Sequence, residues 1–171
     1  MTTLQNYDPY YRQITNRLSE ETKKELLKLA HEKDAFVNTG YNISFFKYPS
    51  KLQKFAPYGV GQMLKVTNED NVIHKDNNRI NEFDGIYMPR KTVINYPLTD
   101  NPSSTNWYDD EKNLVTTTEY DKHAAIINTG DCYHNIKYKE GDSERIVFQL
   151  CFEESLEEVW NLWNTKKYRC F

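Results

Sequence analysis

The eight residues "RIVFQLCF" (145–152) separate into two distinct faces. Successive side chains of a strand point to opposite sides, so Ile146, Phe148, Leu150 and Phe152 form one apolar row and Arg145, Val147, Gln149 and Cys151 the other. The apolar row needs a cover, and the chain supplies one directly downstream. Ser155 and Glu158 have the spacing of a capping box, and Leu156, Val159, Trp160 and Trp163 follow the i, i+3, i+4, i+7 rule, which predicts an amphipathic helix over about 156–165. Its basic tail "KKYR" suits the negative end of the helix dipole. The mixed row then faces the inside of a barrel and carries Arg145 inward. A guanidinium placed there needs a negative partner, because an unpaired buried charge costs several kcal/mol.

Upstream, Ser19 opens "SEETKKELLKLAHEKD" as an N-cap, acids fill the first turn, and Leu26, Leu29 and Ala30 line one side, predicting a helix over about 20–32. Between the two helices, short runs of Val, Ile, Thr, Tyr and Phe alternate with Asn, Asp, Gly and Pro clusters, which is strand-and-turn chemistry. Strands are expected near 43–47, 60–67, 71–76, 91–96, 113–119, 124–128, 133–138 and 145–152. Eight short strands flanked by helices predict a mainly β fold, a double-sheet barrel or sandwich with both helices packed on one sheet. The segment "LTDNPSSTN" (98–106) reads as loop, and loops 77–90 and 98–112 are expected to surround the barrel mouth. No repeat or linker divides the 171 residues, so one domain over 1–171 is expected.

Composition narrows the function classes. Twenty-two basic against 25 acidic residues, with no long Lys/Arg run, argue against nucleic acid as a main partner. The start "MTTLQNYDPYYRQ" lacks the apolar core of a signal peptide, and no apolar run reaches the roughly 20 residues of a membrane span. A cytoplasmic protein without membrane contact is the expectation. Cys132, Cys151 and Cys170 are odd in number and widely spaced, so reduced thiols are expected rather than a disulfide framework or a zinc cluster. Oligomeric state is not legible.

The stretch "NVIHKDNNRI" (71–80) sets His74 and Asp76 two residues apart. On a strand they share one face, about 7 Å apart at the backbone, near enough to converge on one ion. A third ligand is available in His134 of "NTGDCYHNIKY", at the start of a later strand. Two imidazoles and a carboxylate that leave positions open form the facial triad of non-haem Fe(II) oxygenases. Arg145, eleven residues past His134, then supplies a planar, permanently charged fork for a dicarboxylate. Taken singly, each residue has a plainer reading: His74 as a satisfied barrel histidine, Asp76 as an Asx-turn residue, and Asn128 and Asp131 as turn formers. His31 and His123 are expected at the surface, and Tyr133, Tyr138 and Trp107 either line a pocket or fill the barrel.

The order HxD, His after 57 intervening residues, and Arg eleven further on resembles the motif of the Fe(II)- and 2-oxoglutarate-dependent dioxygenases, and residues 60–152 resemble their double-stranded β-helix core, a jelly-roll or cupin-like barrel. Within that superfamily "RKTVINYPL" (90–98) and "AAIINTGDCYHNIKYKEGDSERIVFQLCF" (124–152) are similar to the aspartyl/asparaginyl β-hydroxylase-like branch, and prolyl hydroxylases share the same ligands. The resemblance implies His74, Asp76 and His134 as iron ligands and catalytic centre, Arg145 as partner of the distal carboxylate of 2-oxoglutarate, and Asn95 as a further cosubstrate contact. It also implies hydroxylation of a C–H bond of a small molecule or an exposed amino-acid side chain, with O2 consumed and succinate and CO2 released. Arg79 and Arg90 are rival cations for a substrate acid, with Arg90 expected to be a solvated surface residue. Two other classes compete: a cupin-like metal-dependent hydrolase or isomerase, which has no need of Arg145, and a non-catalytic barrel acting as a binding module.

Overall fold

The computed structural model describes residues 3–38, 43–66, 70–100, 103–138 and 144–165. Cys170 and the "KKYR" tail lie outside the described residues. A short strand pair, β1 (Asn6–Tyr7) and β2 (Tyr11–Thr15), leads into helix α1 (Glu20–Ala30). Strands β3 (Phe36–Asn38) and β4 (Ile43–Phe46) follow, then a 3₁₀ helix over Pro49–Phe55 and the long strand β5 (Val60–Val66). A small ribbon, β6 (Arg79–Ile80) with β7 (Tyr87–Met88), precedes β8 (Thr92–Pro97), β9 (Ser104–Tyr108) and β10 (Leu114–Thr118). The chain closes with β11 (His123–Ile127), β12 (Tyr133–Lys137), β13 (Arg145–Phe152) and helix α2 (Leu156–Asn164).

The large antiparallel sheet runs β1-β2-β11-β8-β13-β5-β4-β3, and a smaller sheet runs β10-β9-β12. The strand whose alternation was so regular lies near the middle of the large sheet, paired with β8 on one side and β5 on the other. Its apolar row joins one core cluster with Leu26 and Ala30 of α1 and Leu156, Val159 and Trp163 of α2, so both helices do pack on the same face. Each such side chain removed from water contributes about 1.5–3 kcal/mol. The Ser155 and Glu158 capping box is present with both of its hydrogen bonds, and Ser19 accepts from the Thr22 amide. The opposite face of the large sheet, carrying Val93, Ala125, Ile127 and Cys151, packs with Trp107 of the smaller sheet.

Two expectations change. Residues 104–108, read as loop, form β9, the central strand of the smaller sheet. Ser, Thr and Asn favour turns when their side chains compete for backbone bonds, but here those side chains are engaged across the sheet. Thr105 Oγ1 meets the Tyr120 hydroxyl at 2.9 Å, Thr117 Oγ1 donates to Asn106 Oδ1 at 2.8 Å, and the Trp107 indole donates to Thr118 Oγ1 at 2.8 Å. Residues 71–76, read as a strand, form no continuous ladder and touch β12 through a single bridge, His74 with His134. The N-terminal strands β1 and β2 and the edge strand β3 also went unpredicted.

Candidate metal centre and active site

The bridge between His74 and His134 is the structural core of the site. Their backbones exchange two hydrogen bonds, each of 2.9 Å, and Asp76 N donates to Thr129 O at 2.8 Å. The remainder of the segment is strapped to β12 by side chains rather than by a ladder. Asn71 Oδ1 accepts from Ile136 N at 2.6 Å and Asn71 O from Asn135 Nδ2 at 3.0 Å, while Asp70 accepts from the Tyr138 amide at 2.8 Å. Asn and Asp, poor strand formers, here substitute for the missing backbone pairs and hold the histidine in register.

The three side chains converge. Asp76 Oδ1 lies 3.1 Å from His74 Nε2 and 3.2 Å from His134 Nε2, and one ligand atom from each residue falls within 4.8 Å of the others. Metal-ligand distances of about 2.1 Å place adjacent octahedral ligands about 3 Å apart, so the two separations from Asp76 Oδ1 fit neighbouring positions around one ion. The tautomers fit as well. His74 Nδ1 is 2.7 Å from Val72 O and His134 Nδ1 is 2.9 Å from Cys132 O. A carbonyl can only accept, so each Nδ1 carries the proton and each Nε2 lone pair is left for a metal.

Arg90 is the principal correction to the sequence reading. It is buried, 7% exposed, and its Nε and Nη2 donate to Asp76 Oδ2 at 3.0 and 2.7 Å. Its Nη1 donates to Gln149 Oε1 at 2.7 Å and contacts Cys151 Sγ at 3.3 Å. Arg90 follows "YMP" in a stretch of mixed character, and nothing local distinguishes it from a solvated residue; only the close packing of β8 and β13 buries it. Burial opposes ionisation of Asp76, yet Arg90 and the imidazoles hold its carboxyl well below the usual range. The pair also assigns the two oxygens: Oδ2 belongs to Arg90 and Oδ1 is left to face the histidines. His74 is raised in turn, because the Asp76 carboxylate outweighs burial.

Gly130 secures this geometry from behind. A Cβ there would lie 2.8 Å from Lys91 Cα and 3.0 Å from Arg90 O, so the turn "NTGD" packs directly on the backbone that carries Arg90. We expect Gly130→Ala to destabilise the fold by about 1–3 kcal/mol, as overpacking against backbone does. Thermal unfolding of the metal-free protein measures this, and an unchanged midpoint would show that the contact is not tight. Asn128, as expected, forms the turn, donating to Pro9 O at 3.0 Å and accepting from Asp131 N at 3.4 Å.

Behind the triad lies an inner cavity bordered by β5, β8, β11 and β13 on one side and β9 and β12 on the other. A buried polar chain runs along it from Arg90 through Gln149 to Asn95 at 2.6 Å, from Asn95 to the Tyr120 hydroxyl at 3.0 Å, and on to Thr105. Asn95 therefore lines the cavity, but both ends of its amide are engaged by neighbours. Two other groups were missed by sequence reasoning. Asn71 Nδ2 and Ser103 Oγ border the cavity, are buried, and have no hydrogen-bond partner among the described residues. Unpaired buried polar atoms are uncommon, and a ligand is one way of satisfying them. Arg145 is 2% exposed, sits in register with the cavity residue Val66, and stacks over Tyr138 at 4.1 Å.

The remaining candidates fall into place. Trp107 is fully buried with its ring 5.3 Å from that of His134, so it fills the barrel and supports the ligand. Cys132 is pushed up to about 11 by burial and the nearby Asp131, and Cys151 is raised by burial, so neither is a ready thiolate. His31 contacts Glu144 at 2.5 Å, and His123 opens β11, half-buried; among the described residues the triad is the single cluster with metal-ligand spacing. No helix among the described residues is long and apolar enough to cross a membrane.

No family model matches the chain, and no curated protein matches it. Solved structures do. HygX from Streptomyces hygroscopicus, crystallised with nickel, 2-oxoglutarate and hygromycin B, aligns at a TM-score of 0.54 with 10% identity over 81% of this chain and 80% of its own. SnoN, a non-haem α-ketoglutarate-dependent epimerase of nogalamycin biosynthesis, aligns at 0.55 with 13% identity over 81% and 75%. A Trichoplax adhaerens prolyl hydroxylase in complex with a hypoxia inducible factor peptide aligns at 0.54 with 13% identity over 89% and 87%. The fold is thus the double-stranded β-helix of the 2-oxoglutarate-dependent oxygenases, the prolyl hydroxylases among them. Identities this low speak for fold; chemistry must be argued from the site.

Proposed function

We propose that the protein is an Fe(II)- and 2-oxoglutarate-dependent oxygenase that hydroxylates a C–H bond of a small molecule or an exposed amino-acid side chain. The supporting observation is the triad: three ligand atoms within 4.8 Å of one another, each with its other side already committed to a protein partner. His74, Asp76 and His134 hold the metal through Nε2, Oδ1 and Nε2. Arg90 keeps Asp76 ionised and, by holding Oδ2, would leave only Oδ1 to a metal. Asn71 and Ser103 offer hydrogen bonds from the inner cavity, Arg145 supplies the cation for the far carboxylate, and Asn95 acts through Gln149 and Tyr120 to hold the cavity's shape. Bound iron with 2-oxoglutarate supplies the oxidising chemistry, with succinate and CO2 as by-products. The protein's contribution is orientation and the exclusion of water.

Loaded anaerobically with Fe(II) and then exposed to air, the protein is expected to convert 2-oxoglutarate to succinate slowly even without substrate, and His74→Ala to abolish this. Turnover retained in His74→Ala would remove that residue from the ligand set. Arg145→Ala should raise the 2-oxoglutarate concentration for half-maximal turnover at least tenfold while metal affinity stays within about twofold. An unchanged requirement assigns the carboxylate to another cation.

A further inference from the structure

Beside the triad a second cleft of about 280 Å³ adjoins the inner cavity, sharing Ile43, Phe45, His74 and Arg90 with it and adding Lys75 and Arg79. Its charge is one-sided. The carboxylate in its described lining is Asp76, already taken by Arg90. Lys75 lies over the Tyr133 ring at 4.6 Å, and the Arg79 guanidinium stacks on Phe45 at 3.8 Å. Neither makes an ion pair with a described residue, and Glu82 acts on Arg79 only from a distance.

Arg79 has the features of an anion receptor rather than of a solvated side chain. Its backbone is fixed in β6 opposite Met88, a fully buried residue. Stacking fixes the plane of the guanidinium and leaves its N–H edge available as a fork that matches a carboxylate or a phosphate. It is half-buried, and burial together with the field of Arg90 lowers its pKa, so the charge is kept at a cost that the more distant Glu82 and Asp76 do not cancel. The adjoining Ile43 and Phe45 provide an apolar wall, and His74 and Asp76 border the same cleft.

We propose that the substrate carries an anionic group, a carboxylate or a phosphate, that docks on the Arg79 fork, with its apolar body against Ile43 and Phe45. That this ligand is the substrate rests on the oxygenase reading; the anion site itself does not. Docking there would hold the part of the molecule next to the anion beside the triad, which is how a remote charge selects the carbon to be oxidised.

The test is a ¹⁹F NMR titration of the full chain with zinc(II) and saturating 2-oxoglutarate. The probes are 4-(trifluoromethyl)benzoate, 4-(trifluoromethyl)phenyl phosphate and the neutral 4-(trifluoromethyl)benzamide. At least one anion is expected to bind tenfold or more tightly than the amide, and the tighter of the two identifies the group. Arg79→Gln should erase that preference and Arg79→Lys restore part of it, while 2-oxoglutarate affinity, measured separately by calorimetry, stays within about twofold. The proposal is overturned if the wild type shows no preference, if the preference survives Arg79→Gln, or if that variant loses 2-oxoglutarate binding tenfold, which would make Arg79 a cosubstrate clamp. A protein that ignores zinc and 2-oxoglutarate yet keeps the anion preference would sink the oxygenase reading and leave the anion site standing.

Discussion

Replacing Arg90 with leucine is expected to cost the metal-free protein about 3–5 kcal/mol of stability, the range for removing one partner of a buried ion pair. For a chain of this size that lowers the melting midpoint by on the order of 10 °C. The cost arises less from the lost attraction than from what is left behind: a largely buried carboxylate at Asp76 that has lost its guanidinium. The double variant Arg90→Leu/Asp76→Leu removes both charges and should recover much of the loss, since a buried pair replaced by apolar groups is often neutral. Chemical denaturation of the four proteins of this cycle gives the coupling energy. A single variant no less stable than the wild type would mean that the pair is not buried in solution.

The second large effect concerns the ligands. Loss of an outer-shell partner typically costs 10–100-fold in metal affinity, so His134→Ala, which removes a direct ligand, should cost more than about 100-fold. His31→Ala and His123→Ala should change nothing. Calorimetric titration with zinc(II) reads the difference directly, and thermal shift gives an independent check. Metal at about 100 times its dissociation constant stabilises the wild type by about 2.7 kcal/mol, and should leave His134→Ala unshifted. Because the His134 ring packs on Trp107, His74→Ala, at a more exposed position, serves as the cleaner companion. If both variants bind zinc like the wild type, the ion sits elsewhere.

Much of this could be read from the residues themselves, and for identifiable reasons. Alternation in 145–152 exposed a sheet covered on one face, and the capping box with its Leu and Trp stripe identified the cover, because both signals are local. The candidate positions 74, 76, 134 and 145 followed from chemistry that needs those residue types in that order, and the structure brings the first three together. What stayed hidden depends on tertiary partners. Arg90 is ordinary until Asp76 is folded against it, Asn71 until β12 lies beside it, and the polar strand 104–108 until Tyr120 and Thr118 meet its hydroxyl and indole groups. Residues 71–76 misled in the opposite direction: apolar and histidine residues there suggested a ladder, whereas side-chain bonds from Asp70 and Asn71 hold the segment and leave its polar ends free to build the site.

The oxygenase account requires metal and cosubstrate to bind as one unit, since a chelating acid has little to hold it if the triad is empty. Calorimetric titration of 2-oxoglutarate into the protein with and without zinc(II) puts this most directly. The account predicts one molecule bound per chain with the metal present and at least a tenfold loss of affinity in its absence. Equal binding in both conditions, or none in either, would contradict it.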